Sequence, residues 1–403
     1  MANTQLWGDC HTHSMYSDGL FSVEEMTPFF EAFGNDFRIQ TDHLLVAVPA
    51  GRPAGEWLHA ARWSEDYCAA CLAATTSRHV CVPGAELGWA PAPAAGTWFH
   101  TKIQPPQRQG FPDVSFFGGL EYTAMLAKTK DAGCRPIIAH IDQGAPLAQL
   151  SGAEICGLEV RGDIEETRPL LGRPSLKHWD RMLAAGHRVS LSSGSDAHQP
   201  DLWAGSGLRT VLLDAPRDAE AIAAAVAAGR SYLSGTWHAD CYAAAGWPET
   251  TNTVAGGPTH FLPWWEFKRY PLLAGRPARE VVIEMSEAAL RDGRCRRDDY
   301  PVLLDFTVDG ACSGGEVAAR AKSAVHASWR THVPLHVARV VVDGAVGFEV
   351  PPSHPAFGKT EGELHVTLDL RGRHYARLEL EALAPGDPQQ RETLMANPVY
   401  VVN

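Results

Sequence analysis

Along the first 235 residues, short apolar runs alternate with segments whose apolar residues recur at helical spacing. Leu6 to Cys10 predicts a strand, and Val23 to Phe33 a helix opened by Ser22 as its N-cap. Phe37 to Gln40 is a second strand that runs into Thr41-Asp42-His43. Helices follow at Ser64 to Ala74, Leu120 to Ala132, Leu176 to Ala185 and Ala219 to Ala228; the last three are each followed by a glycine. Strands are expected at His79 to Val82, Trp98 to Ile103, Pro136 to Ala139, Gly157 to Val160, Arg188 to Leu191 and Arg209 to Leu213. Strand-then-helix repetition at this spacing predicts a parallel α/β architecture, and the number of units suits a closed barrel better than an open sheet.

The rhythm breaks at residues 236–278, where Trp237, Trp247, Trp264 and Trp265 lie among Pro and Gly. This stretch reads as a linker or lid. Residues 279–403 are strand-like: Val281 to Met285, Val302 to Val308, Ala338 to Val342, Phe348 to Val350, Glu363 to Leu370 and Tyr375 to Leu380. Glu363 to Leu370 alternates polar and apolar throughout, as in a sheet with one wet face. The expected organisation is therefore a catalytic unit at 1–235, a linker at 236–278 and a β-rich, sandwich-like domain at 279–403.

Composition narrows the function classes. With 403 residues, 45% of them apolar and 20% charged, the chain can bury a large core. A net charge of −12 argues against a broad nucleic-acid or anionic-membrane footprint. The most apolar stretch, Ala221 to Gly229, is too short to span a bilayer, and the start carries no basic region followed by an apolar run. Nine scattered cysteines favour a reducing compartment, hence the cytoplasm, over a disulfide scaffold. Cys68-Ala-Ala-Cys71 has redox spacing but falls in a helical pattern without a second pair. The expected partner is a small-molecule substrate rather than nucleic acid or membrane, with homo-oligomerisation, if any, through the C-terminal half.

The candidate chemistry lies at the ends of the predicted strands. His11-Thr-His13 places two imidazoles on one face of a strand, and Ser17-Asp18-Gly19 follows in a loop. Then come Asp42-His43, Gly84-Ala-Glu86, Phe99-His100, Ala139-His140 and Ser195-Asp196-Ala-His198. A single histidine at a strand end is ordinarily structural; histidines and carboxylates at successive strand ends are the pattern of a metal centre at the C-terminal edge of a parallel barrel.

These motifs, in this order, resemble the PHP (polymerase and histidinol phosphatase) superfamily of metal-dependent hydrolases over residues 5–235. The resemblance implies a distorted (β/α)7 barrel and two to three divalent ions. On that pattern His11, His13, Glu86 and Asp196 would hold the first ion; Glu86 would bridge to a second, held also by His100 and His140; Asp18, His43 and His198 would hold a third. Zn, Mn or Fe all suit this donor set. Ala-Gly229-Arg-Ser-Tyr-Leu-Ser234, Val-Val-Val-Asp343-Gly344 and Asn397-Pro-Val-Tyr-Val401 are similar to the carbaryl-hydrolase-like subgroup, although Gly235-Thr-Trp-His238 departs from its usual Gly-Pro.

The resemblance implies a metal-bridging hydroxide as nucleophile, so no Ser or Cys nucleophile is required. Glu86, Asp18, His198, Arg161 and Arg209 are the catalytic candidates, the two arginines as contacts to a substrate anion, with Trp89, Trp98 and Trp203 flanking the ligand segments. A phosphoesterase acting on a small organic phosphate is the leading expectation. Hydrolysis of a carbamate, ester or amide is the alternative, and a metal-dependent scaffold is a third.

Overall fold

The computed structural model describes residues 4–17, 19–45, 65–89, 99–104, 122–131, 133–141, 147–161, 170–171, 173–198, 207–237, 272–273, 276–291 and 296–402. The N-terminal strands are β1 (Gln5–Thr12), β2 (Phe37–Gln40), β3 (His43–Leu45), β4 (Val80–Pro83), β5 (Ala85–Trp89), β6 (Phe99–Gln104), β7 (Arg135–Ile138), β8 (Gly157–Arg161), β9 (Ser190–Gly194), β10 (Gly207–Leu213) and β11 (Ser231–Trp237). Helices α1 (Val23–Ala32), α2 (Glu65–Ala73), α3 (Tyr122–Asp131), α4 (Pro174–Ala184) and α5 (Ala219–Ala228) come between them. Ser22 caps α1 as expected, in a full capping box: its hydroxyl accepts from Glu25 N at 3.3 Å while the Glu25 carboxylate accepts from Ser22 N at 2.9 Å.

The strands fall into two ladders instead of the single parallel run expected. β1, β2 and β4 pair in parallel, and so do β3 with β5 and β7 with β8 and β9. β6 runs antiparallel to both β5 and β7. Residues 90–98 are too few for a parallel crossover, which needs about a dozen residues. β10 is antiparallel to β1 and to β11.

No ladder joins β9 to β1, and the outward edge of β9 is completed mainly by side chains. Asn397 presents its amide to Leu191, accepting from the backbone N at 2.6 Å and donating to the carbonyl at 2.8 Å. The Thr210 hydroxyl accepts from Ser193 N at 2.8 Å and donates to Ser193 O at 3.1 Å. Asp9 accepts from Ser195 N at 3.0 Å. Backbone contact resumes with Asp196 N to His11 O at 2.9 Å and His13 N to Ala197 O at 2.8 Å. Buried backbone groups must be paired, and here polar side chains do it.

The C-terminal strands are β12 (Leu272–Leu273), β13 (Arg276–Pro277), β14 (Val302–Val308), β15 (Ala311–Cys312), β16 (Glu316–Ala318), β17 (Ser323–Arg330), β18 (Leu335–Val342), β19 (Ala345–Glu349), β20 (Glu361–Leu368), β21 (Tyr375–Ala384), β22 (Asp387–Ala396) and β23 (Val399–Val402). β11 pairs with β22, so one large sheet crosses residue 235. A second sheet, β15-β14-β17-β20, faces it over an apolar layer that includes Phe306, Trp329, Val340 and Leu378 together with Trp7, Val211 and Tyr232. The Asp343-Gly344 pair makes the β18–β19 turn with φ of 47° and 78°, the two positive values a tight hairpin requires.

One expectation is corrected. Val281 to Met285 is not a strand but part of helix α6 (Ala278–Arg291). Its Val-Val-Ile run suggested β-structure, whereas Glu280, Glu284, Glu287 and Arg291 recur at helical spacing and the flanks are rich in helix formers. Apart from β11 reaching Trp237, the proposed linker lies mostly outside the described residues. No helix among the described residues is long and apolar enough to cross a membrane.

A buried polar chain runs beneath the strand ends. Arg38 donates to Val23 O at 2.6 Å, Thr27 Oγ1 at 3.0 Å and Gln40 Oε1 at 3.2 Å, and Gln40 donates in turn to Asp42 Oδ2 at 3.0 Å. His79 Nε2 lies 3.2 Å from Arg38 Nη1 and can only accept there. Burial first, and the Arg38 charge second, hold the His79 pKa down to about 3. The unfolded chain therefore binds a proton at His79 below pH 6.5 that the folded chain refuses. This contribution to stability is full above pH 6.5 and lost as pH falls toward 3. Thermal melts between pH 7 and 4 should show a smaller acid-induced fall in midpoint for His79→Gln than for wild type; parallel curves would refute this role.

Removing the Asn397 amide would strand two buried backbone groups of β9. Asn397→Ala should lower unfolding stability by about 2 kcal/mol or more in denaturant melts. A change below about 0.5 kcal/mol would mean that the side-chain seam is dispensable.

Candidate metal centre

The strand ends converge on one buried cluster. His11 is on β1 and His13 one residue beyond its end; Thr41-Asp42 and Gly84 interrupt the courses of β2–β3 and β4–β5, so that His43 and Glu86 become direct register partners. His140 follows β7, and Asp196 and His198 follow β9. His140 and Asp196 hold φ of 42° and 60°. Non-glycine residues rarely adopt this region, and backbone strain of this kind concentrates at functional sites.

His11 Nε2 lies 3.0 Å from His13 Nε2, 3.3 Å from Glu86 Oε2 and 3.4 Å from Asp196 Oδ1. His13 Nε2 lies 3.4 Å from the same Glu86 oxygen and 3.0 Å from the same Asp196 oxygen. Four donors around a zinc-sized ion at bond lengths of about 2.0–2.1 Å would stand about 3.3 Å apart. The donors thus fit a small tetrahedral cation without rearrangement. Around this core, His43 Nδ1 is 3.0 Å from Glu86 Oε2, and His140 Nε2 is 3.4 Å from Glu86 Oε1 and 3.6 Å from Asp196 Oδ2. The ligating atoms of His11, Glu86, His140 and Asp196 form one compact group, and those of His13, His43 and His198 another. The rings of His13 and His198 stack at 4.2 Å and 11°.

The electrostatics favour positive charge. Burial opposes a charge on His11, yet the carboxylates of Glu159, Glu86 and Asp196 push its pKa up to about 10. Burial also works against the Asp196 carboxylate, but His11 and a hydrogen bond from His13 hold it well below the usual range. The surrounding carboxylates thus favour positive charge at the cluster, as at a metal site.

The residues that aim the ligands were not predicted. Glu159 on β8 accepts from His11 Nδ1 at 2.8 Å, which leaves Nε2 as the free donor. His198 Nδ1 donates to Asp196 O at 2.7 Å, so the lone pair of the neutral ring lies on Nε2. Asp9 accepts from His11 N and Ser195 N, both at 3.0 Å, and joins β1 to the loop bearing Asp196. Asp42 accepts from Ser14 N, Ser14 Oγ, Ser17 N and Ser17 Oγ at 2.7–3.1 Å, folding the loop after His13 onto the centre. A buried acid two or more residues from a histidine is the signal that was available; its partners were visible only in three dimensions.

The remaining expected residues fall differently. Asp18 lies outside the described residues, as do Trp98 and Trp203. His100 and Arg161 are placed by backbone register alone, across from Gly88 and Gly194. Arg209 is on β10. It shares the outward face of β10 with Val211, donates to Phe33 O at 2.9 Å and stacks over Tyr300 at 4.5 Å. It thereby ties β10 to the end of α1 and to Tyr300. Cys71 on α2 is a buried thiol outside any disulfide, hydrogen-bonded to the Cys81 thiol of β4.

No family model matches the chain, and no curated protein does. Several solved structures are similar, among them two bacterial proteins. One is a two-domain protein from Bacteroides vulgatus containing a predicted PHP-like metal-dependent phosphoesterase, at 14% identity and a TM-score of 0.41, covering 99% of this chain and 95% of that one. The other, from Bifidobacterium adolescentis, is described as a candidate metal-dependent phosphoesterase, at 14% identity and a TM-score of 0.30, covering 48% and 88%. These likenesses are too distant to assign an activity, and the functional reading rests on the centre's own geometry.

Gly194 tests that geometry. A Cβ there would stand 2.2 Å from His11 Cβ and 2.7 Å from His11 N. Gly194→Ala should push β1 from β9, misplace His11 and lower bound metal by an equivalent or more in plasma mass spectrometry. Full metal content in a folded Gly194→Ala protein would contradict the packing described.

Proposed function

We propose that this chain is a PHP-type, metal-dependent hydrolase with a distorted barrel, acting on a small organic phosphate ester. The convergence of His11, His13, Glu86 and Asp196 at tetrahedral spacing, with His43, His140 and His198 alongside, carries this reading. Two adjoining donor groups suit two or three ions of the Zn, Mn or Fe class; Asp18 and His100 would complete the set. When bound, such ions supply Lewis acidity and lower the pKa of coordinated water toward neutrality. Closely spaced ions of this kind serve the in-line displacement of phosphoryl transfer, which favours the phosphate ester over a carbamate or carboxylic ester.

The chain's own residues do the positioning. Glu86 offers both carboxylate oxygens, one toward His11, His13 and His43 and the other toward His140, and so joins the two donor groups. Glu159 holds His11 in the tautomer that presents Nε2, and the Asp196 carbonyl does the same for His198. Asp196 and Glu86 supply the negative charge that offsets bound cations. Arg161, at the end of β8, is the proposed contact for a substrate anion.

Glu86→Gln should leave the fold intact, lower metal content and reduce p-nitrophenyl phosphate turnover by about a hundredfold or more, because a neutral amide bridges two cations poorly. Wild-type turnover in that variant would sink the assignment. Turnover of a p-nitrophenyl ester or naphthyl carbamate without phosphate release would move the chemistry to the alternative bond type.

A further inference from the structure

A second cluster of metal-ligating side chains lies away from the strand-end centre, on the solvent face of the β15-β14-β17-β20 sheet. In β17 the apolar residues Val325, Ala327 and Trp329 point into the core, so that His326 and Ser328 point out. In β20, Leu364 is buried while Glu363 and His365 are exposed. His326 and His365 are direct register partners in the antiparallel ladder, with Thr307 of β14 across from His326 on its other side. Asp305, Ser328 and Glu363 form the adjacent row on the same face. Opposed Cβ atoms in such a ladder stand about 4.5–5.5 Å apart, within reach of one ion for two imidazoles.

The side chains are arranged as ligands are. The imidazoles of His326 and His365 lie face to face, with centroids 4.4 Å apart and planes at 26°. His326 Nδ1 is 2.8 Å from Asp305 Oδ2. Since a carboxylate accepts, Nδ1 carries the proton and Nε2 keeps its lone pair. A carboxylate behind a histidine in this way is the usual device for orienting a metal ligand. His365 Nε2 is 3.7 Å from Glu363 Oε2. One ligating atom from each of His326, Glu363 and His365 falls within 4.8 Å of the others. His326 is anchored by Asp305 and one-third exposed, whereas His365 and Glu363 are two-thirds or more exposed and free to close on an ion.

We infer that His326, His365 and Glu363, oriented by Asp305, form a second metal site that takes one divalent transition ion of the zinc class on the C-terminal sheet. Two imidazoles and a carboxylate suit Zn2+, Ni2+ or Cu2+ and not Mg2+ or Ca2+, which prefer all-oxygen shells. Three protein ligands on an open sheet face leave further positions to water. The site shares no residue with the strand-end centre and does not depend on the proposed hydrolase activity.

The test uses full-length protein with the strand-end centre already loaded, titrated calorimetrically with Zn2+ alone and analysed for metal after dialysis at micromolar free Zn2+. Wild type should bind one equivalent more than His326→Ala/His365→Ala. Asp305→Asn should weaken that equivalent about tenfold or more. Any p-nitrophenyl phosphate turnover should be the same in all three proteins. His326→Gln/His365→Gln, isosteric enough to keep the sheet, should reproduce the loss if the alanine pair is unstable. Equal zinc stoichiometry and affinity in wild type and the glutamine pair, or no uptake by wild type beyond the strand-end centre, would overturn the proposal.

Discussion

The backbone of β9 has one laddered edge and one edge without a ladder, and the centre depends on how the second is satisfied. Along it, Leu191 is paired by the Asn397 amide, Ser193 by the Thr210 hydroxyl and Ser195 by the Asp9 carboxylate. Only then do β1 and the segment after β9 bond directly, through His11, Asp196, His13 and Ala197. Each of these side chains replaces a strand at a place where an unpaired backbone group would cost about 1–3 kcal/mol. The seam brings β1 so near β9 that Gly194 admits no side chain, and that approach sets His11 and His13 against Asp196. Since Asn397 lies between β22 and β23, the C-terminal half helps to hold the strand-end cluster built by the N-terminal half.

A second constraint is charge. Packing five imidazoles and two carboxylates into one largely buried cluster is costly unless the charges balance. Here the balance comes from surrounding acids: Glu159 behind His11, Asp9 beneath the β1–β9 seam and Asp42 under the loop after His13. Asp42 is tied through Gln40 to the buried Arg38, so the negative support of the site rests on a positive charge deeper in the core. Partial ion coverage by the protein, with orientation supplied from behind each ligand, is how metal sites gain affinity and fix tautomers.

Much of this was legible in the sequence, and the exceptions have physical causes. His11-Thr-His13 follows from the two-residue period of a strand, and Ser22 and Glu25 announce the start of α1. The strand-end histidines and acids that fall on described side chains come together as the spacing suggests. Arg209 could not be oriented from sequence, because β10 is buried on both faces and nothing in its pattern says which side faces the site. Val281 to Ile283 looked like a strand because β-branched residues cluster there, while the helical spacing of the charges around them decided the outcome. β17 was missed although Val325, Ala327 and Trp329 alternate without a break, and β22 because Asp387-Pro-Gln-Gln-Arg is polar. Asn397 and Glu159 could not be assigned from sequence, since their partners lie far away in the chain.

The central claim is that bound cations occupy the space between His11, His13, Glu86 and Asp196. Anomalous diffraction from crystals of metal-loaded protein, collected above and below the metal edge, addresses it directly. The account predicts a peak within bonding distance of His11 Nε2, His13 Nε2 and the two carboxylates, with a neighbouring peak beside His43, His140 or His198. A well-ordered cluster with no anomalous peak in loaded crystals, its imidazoles and carboxylates joined only to one another, would contradict it.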